Sequence, residues 1–282
     1  MLTVLTVTQN RSKRVLKRLW SRIKPNSPKA KVLSKAGVLL LQITVTQENR
    51  CKQIPVKKIK KMLGRGTREV LCRQDLSLPI DCGFHRYTSS LFMRRLCENG
   101  VLVALKEANC IPSSINVSLY DPKAIHSDMA EYLLRHCGSL RIITNHTDFY
   151  HRESDRLMEE YGASILVGDQ MDWLSTCHVL VAPDKIRKRL QISPSTIVFT
   201  GEKPAVDIRG ELYYRYKASL PEKYEELLPK ELEPEYFMSA LYELEKIHEL
   251  GCLVPEYFVS NESCVSLEEI SKHIKKSVMR TF

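Results

Sequence analysis

Glycine is scarce in this chain, with 11 in 282 residues and none from Ile115 to Cys137. A glycine-rich loop, which brings bare backbone N–H groups up to a phosphate, is therefore excluded from that stretch. Cys-x-x-Cys pairs are missing as well. The nine cysteines are odd in number and scattered over positions 51, 72, 82, 97, 110, 137, 177, 252 and 264. That spacing argues against a disulfide framework and against a zinc site, and the cysteines read as small core residues. No apolar run approaches the roughly 18 residues of a membrane span. Val38–Val45 is short and is interrupted by Gln42 and Thr44. The start, Leu2–Val7, lacks the charged opening and long apolar stretch of a signal peptide, so a cytoplasmic protein without a membrane partner is expected. HExxH, GxxxxGK[ST] and GxSxG are all absent, which leaves zinc peptidase, P-loop and α/β-hydrolase chemistry without support.

What is present is first of all charge, unevenly spread. Residues 1–110 hold 23 Lys+Arg against 6 Asp+Glu, whereas residues 111–282 hold 20 against 27. Such asymmetry fits an anionic partner, nucleic acid included, for residues 11–73. It equally fits a basic part facing the acidic part, within one molecule or across a homo-oligomer.

Residues 1–73 read as strand, helix, strand, helix, strand. Leu2–Val7 alternates. In Arg11–Lys24, Val15, Leu16, Leu19, Trp20 and Ile23 share one face opposite seven basic residues, the pattern of a helix packed on a sheet or laid on an anion-rich surface. Pro25–Lys35 reads as a loop, Gly37–Thr46 as a strand, and Pro55 opens a helix that Gly64 closes. Lys57, Lys58, Lys61, Arg65 and Arg68 surround Gly64-Arg65-Gly66 and are the candidate anion-binding residues. The glycines follow the helix, so a helix stop with a solvated basic face is the competing explanation. Thr88–Ala108 has the length of a long helix.

The stretch Ile115–Thr200 carries the strongest pattern. Five short apolar strands, Ile115–Tyr120, Leu140–Thr144, Ala163–Val167, His178–Val181 and Thr196–Thr200, alternate with helix-sized segments. This is the rhythm of a mostly parallel sheet with helices on both faces. Ser127 would cap the first helix of the series, whose stripe is Met129, Tyr132, Leu133, His136 and Cys137. A basic helix is expected over Lys185–Leu190.

With Asn145-His146-Thr147 after the second strand, "TCHVLVAP" in the fourth and "SPSTIVFTGEKP" in the fifth, residues 115–205 resemble the cofactor domain of shikimate dehydrogenase and glutamyl-tRNA reductase-like enzymes. The resemblance implies a Rossmann-like fold, an NADP cofactor with its adenosine end near Asn145 and His146, and oxidoreductase activity. The departure lies after the first strand. The family has GxGxxG there, and this chain has Asp121-Pro122-Lys123-Ala124-Ile125-His126, a carboxylate and a proline where N–H donors would face a pyrophosphate. Asp121 and Asp169 at strand ends also faintly resemble the haloacid-dehalogenase-like phosphatases, whose second motif aspartate is here Lys123.

Ligands of open α/β sheets bind beside the C-terminal strand ends. The candidate ligand-binding residues are accordingly Asp121, His126, Asn145, His146, Asp169 and Asp184, with ordinary turn and loop roles as the competing explanation for each. The tail has a helix over Glu235–Leu250 and a capping box, Ser266-Leu267-Glu268-Glu269, opening a last helix. Residues 211–269 hold 5 Lys+Arg against 14 Asp+Glu. The expected organisation is a basic α/β unit over 1–112, a Rossmann-like domain over 113–210, and a helical acidic segment over 211–282. A degenerate Rossmann-like protein, non-catalytic or binding a non-standard ligand, is the leading expectation, beside an NADP-linked reductase and a nucleic-acid- or anion-binding module.

Overall fold

The computed structural model describes residues 1–10, 28–48, 54–64, 68–250, 253–261 and 263–279. The expected helix over Arg11–Lys24 and the candidate Arg65 lie outside the described residues. The chain forms two compact units, Met1–Ser89 with Leu220–Gly251, and Ser90–Ser219 with Cys252–Phe282.

The first unit is built on β1 (Leu2–Asn10), β2 (Lys29–Lys35) and β3 (Val38–Glu48), in the order β1-β3-β2. β1 and β3 run parallel, and β2 returns antiparallel on β3. Beyond β1 the chain adds a parallel bridge between Val4 and Leu71, next to β4 (Glu69–Val70), which pairs with β5 (His85–Arg86). Helix α1 (Val56–Leu63) exists because Ile59 and Leu63 sit four apart on one face. Both are buried against Leu5, Leu41, Ile43 and Val45, while the lysines between them stay in water. Gly64, at φ +73, ends the helix in the left-handed region that a side chain rarely adopts. β2 was expected as loop. Lys29, Lys31 and Lys35 alternate along it and most of its residues are exposed, so no apolar face announces it. Lysines on a sheet edge are a known guard against unwanted strand pairing.

The second unit begins with α2 (Leu91–Ala108), whose residues Phe92, Leu96, Val101, Ala104 and Leu105 are buried. It belongs to this unit because it packs against the C-terminal helix and the sheet. Six strands follow: β6 (Asn116–Tyr120), β7 (Ser139–Ile143), β8 (Leu166–Gly168), β9 (Val179–Ala182), β10 (Ile197–Thr200) and β11 (Glu211–Tyr213). Every pairing among them is parallel, in the order β11-β10-β9-β6-β7-β8. β6, β9 and β10 are almost wholly buried, which is why they read as unbroken apolar runs. Helices α3 (Ser127–Leu134) and α4 (Thr147–Tyr161) follow β6 and β7. Gly162, at φ +65, stops α4 and its N–H bonds the Met158 carbonyl.

Two expectations here need correction. Lys185–Leu190 is not helical. Pro183 precedes it, and Ile186 and Ile192 both reach the same core cluster, which an irregular, extended course permits. β11 was not expected, because a three-residue strand within a charged, tyrosine-rich segment carries no periodic signal. A smaller antiparallel sheet of β12 (Arg215–Lys217), β13 (Tyr257–Val259) and β14 (Cys264–Ser266) completes the unit, with α7 (Leu267–Met279) against α2. In the first unit, α5 (Glu222–Glu225) is a single turn, and α6 (Pro234–Glu243) is shorter than expected and stops well before Leu250.

A charged cluster at the switch point of the parallel sheet

Counted along the chain from β6, the six parallel strands take the order 6-5-4-1-2-3. Successive strands step outward from β6 to β8, then start again beside β6 with β9. The point of reversal lies between β6 and β9; in open α/β sheets the loops after two such neighbouring strands diverge there and form the crevice in which ligands bind. Both loops carry candidate residues. Asp121 follows β6 directly, and Asp184 lies two residues past β9.

Asp121 is 1% exposed. Its N–H extends the ladder to the Ile143 carbonyl at 3.0 Å, which fixes the carboxylate at the strand end. Oδ2 accepts the His126 N–H at 2.8 Å and the Tyr150 hydroxyl, from α4, at 2.7 Å. Burial and this carboxylate push the Tyr150 phenol far above its ordinary range. The turn is thus folded back on itself, with Ala124 N–H on the Asp121 carbonyl at 3.3 Å and Ala124 at φ +54. His126, rather than Ser127, precedes the first residue of α3.

The His126 ring points into the crevice and is 8% exposed as a residue. Nδ1 lies 3.0 Å from Glu98 Oε1 of α2, and Nε2 lies 3.6 Å from Asp184 Oδ1. Asp184 is also approached by Arg94 Nη2 at 2.7 Å and Lys123 Nζ at 3.3 Å. Arg94 and Glu98 are four apart on α2, so both reach the crevice from one helix face. Burial is the largest influence on the His126 imidazole and pulls its pKa down. The Glu98 hydrogen bond and the charges of Asp121, Glu98 and Asp184 outweigh it, and the net direction is upward. Asp121 Oδ1, His126 Nε2, both Asp184 oxygens and Arg94 Nε are buried without a well-aligned hydrogen-bond partner, more such atoms than any other place in the described residues holds. Gly201 packs against the β9 loop: its N–H reaches the Pro183 carbonyl at 3.2 Å, and a Cβ there would lie 2.3 Å from that oxygen.

Three of the six candidates, Asp121, His126 and Asp184, therefore come together. Asn145 and His146 are exposed at the end of β7, where His146 N–H bonds Thr144 Oγ1 at 3.1 Å, and Asp169 is exposed beyond β8. Arg94, Glu98, Lys123 and Tyr150 complete the cluster. The sequence offered one usable signal for them, the i, i+4 pair Arg94 and Glu98 within a long helix. Among the described residues no group of three or more His, Cys, Asp or Glu is arranged to hold a metal ion.

A pyrophosphate needs free N–H groups where the first strand turns into its helix. Here the His126 N–H is donated to Asp121, Pro122 has no N–H, and a buried carboxylate stands where negative charge would arrive. The residues present do not fit that group.

In the first unit, Lys57, Lys58 and Lys61 are exposed along α1, and Arg68 is exposed before β4. Helix α1 covers the sheet face of Leu41 and Ile43, whereas the lysines of β2 pair with Thr44, Gln42 and Val38 and so point to the opposite face. The lysines of α1 and those of β2 therefore lie on opposite faces of the sheet. A cavity of about 230 Å³ in the same unit is lined by Cys72, Arg73, Asp75, Glu231, Leu232 and Tyr236, none of them a candidate from the sequence.

Strand order and crevice define the class: a Rossmann-like α/β protein. No protein-family model matches the chain. No curated protein matches it either. Among solved structures, the chain is similar to L-tryptophan dehydrogenase from Nostoc punctiforme, at 12% identity and TM-score 0.31, over 99% of this chain and 81% of that one. It is similar to quinate dehydrogenase from Corynebacterium glutamicum in complex with NAD, at 10% identity and TM-score 0.29, over 70% and 78%. A third is the Δ1-pyrroline-2-carboxylate reductase of Thermococcus litoralis with NADH and L-proline, at 7% identity and TM-score 0.29. That likeness spans 39% of this chain and about a third, 36%, of the reductase. Likenesses this distant do not assign an activity, and the fold class rests on the strand order.

Proposed function

We propose that this chain is a Rossmann-like binding protein whose switch-point crevice takes a small polar ligand in place of a dinucleotide. One observation carries the reading: the Asp121 carboxylate accepts the N–H that a pyrophosphate would need, and Tyr150 holds it there. The crevice keeps buried polar atoms without aligned partners, which is the character of a place that receives water or a small solute. Thermal-shift measurements with NAD⁺, NADH, NADP⁺ and NADPH at millimolar levels test it through linkage. No change in Tm is expected with any of the four, and a saturable rise with one of them overturns the reading.

The second reading is a nicotinamide-linked oxidoreductase. It is favoured by the switch-point topology and by Asn145 and His146, which stand exposed at the end of the strand next to β6, where the adenosine end of such cofactors is held in Rossmann domains. Stabilisation by NADP⁺ that is lost on replacing Asn145 and His146 with Ala supports it against the first.

A further inference from the structure

His126 joins three separate pieces of the second unit. Its ring meets Glu98 of α2 through Nδ1 and Asp184 of the β9 loop through Nε2, while its N–H is held by Asp121 of the β6 turn. The charged groups facing it are Arg94 and Glu98 from α2, Asp121 and Lys123 from the turn, and Asp184 from the β9 loop. Tyr150 of α4 reaches them through Asp121. The carboxylates number three, and without His126 the cations number two. A protonated imidazole makes the set neutral, and loss of its proton leaves one net negative charge in a largely buried place.

We propose that His126 is a proton-operated latch on the switch-point crevice. The inference rests on the reading of that crevice as the functional site. With both ring nitrogens protonated, Nδ1–H donates to Glu98 and Nε2–H faces Asp184 Oδ1, so α2 is held to the β9 loop on both sides of the ring. When the proton leaves to solvent, the tautomer that keeps the Glu98 bond turns the Nε2 lone pair toward a carboxylate oxygen 3.6 Å away. The attraction becomes repulsion, Arg94 and Lys123 alone face three carboxylates, and the crevice loosens. The raised pKa of His126 agrees with the geometry. The ligand of the crevice would then bind on opposite sides of the transition with different affinity.

Amide hydrogen exchange of the full chain at pH 6.0 and pH 8.5, corrected for intrinsic rates, tests this. In the unmodified protein, residues 183–186 and the first half of α2 should be protected at least about threefold more at pH 6.0. In H126Q that difference should vanish, while β7 and β10 exchange as before. An NMR titration of His126 in the unmodified protein keeps the test independent of how the variant folds. Titration at or below the ordinary histidine value, or a pH-dependent protection that survives in H126Q, overturns the latch. A dinucleotide-induced thermal shift overturns the binding reading and leaves these exchange results standing, so the two failures are distinguishable.

Discussion

Asp121 holds two buried donors with one oxygen, the His126 N–H and the Tyr150 hydroxyl. Replacing it with Ala leaves the Tyr150 hydroxyl and the His126 N–H buried and unpaired. Urea unfolding of D121A should show a loss of about 2–4 kcal/mol, and Y150F a smaller loss of about 1–2 kcal/mol. A D121A loss no larger than that of Y150F would show that the turn is held by other means. Gly201 is the steric counterpart. An added Cβ meets a backbone carbonyl and the α2 backbone near Arg94, neither of which can move aside as a side-chain tip would. G201A should lose about 1–3 kcal/mol in the same measurement. At this scale the sequence was partly legible. Asp121, His126 and Asp184 stood out because they follow strands. Arg94 and Glu98 did not, because a charged pair on a helix reads as solvated until tertiary structure places a strand end opposite.

Elements were legible where they announce themselves by period or by cap. The capping box is the clearest case. Ser266 N–H and Oγ–H both reach Glu269 Oε2, at 2.8 and 3.1 Å, and Glu269 N–H returns to Ser266 Oγ at 3.3 Å. S266A should cost about 1 kcal/mol, read as a lower urea midpoint at unchanged slope. A midpoint within error of the unmodified protein would mean the helix is set by its packing on α2. β6, β9 and β10 were found because burial on both faces leaves apolar runs, and β7 because Leu140, Ile142 and Ile143 are buried along it. β2 and β11 were missed for the opposite reason. β2 presents lysines to water, and β11 has Glu211 at its start and only three residues. The irregular stretch from Lys185 shows the limit of propensity: charge and spacing suggest a helix, and two isoleucines that must reach one core cluster override it.

Over the whole molecule the order of parallel strands was beyond the sequence, since alternation gives the succession of strands and not which lies beside which. It is nevertheless that order which creates the switch point. The cysteines are more readable. Cys72, Cys82, Cys97, Cys137 and Cys177 are buried and free, and burial pushes the thiols of Cys97 and Cys137 up to about 12. Cys264 is exposed and Cys110 is half-buried. Among the described cysteines, native alkylation followed by peptide mass spectrometry should label Cys264 first and Cys110 next, with the five buried ones modified only after unfolding. Rapid labelling of Cys97 would mean that α2 leaves the sheet on the timescale of the experiment.

A second histidine lies at the opposite end of the same strand pair. His178 begins the run into β9, and its Nδ1 accepts the Asn116 N–H of β6 at 2.9 Å, a role that only a neutral ring can fill. Burial lowers its pKa. A base kept neutral by the fold favours unfolding once the pH drops below its unfolded value, so His178 erodes stability in acid. His126, shifted upward, contributes fully below the unfolded value near ~6.5 and loses that contribution as the pH climbs through its own folded value. Together the two rings give the second unit a stability maximum with a falling slope on either side. H126Q should remove the alkaline slope that His126 contributes, and H178N should reduce the acid one, to which His136, likewise lowered by burial, also contributes.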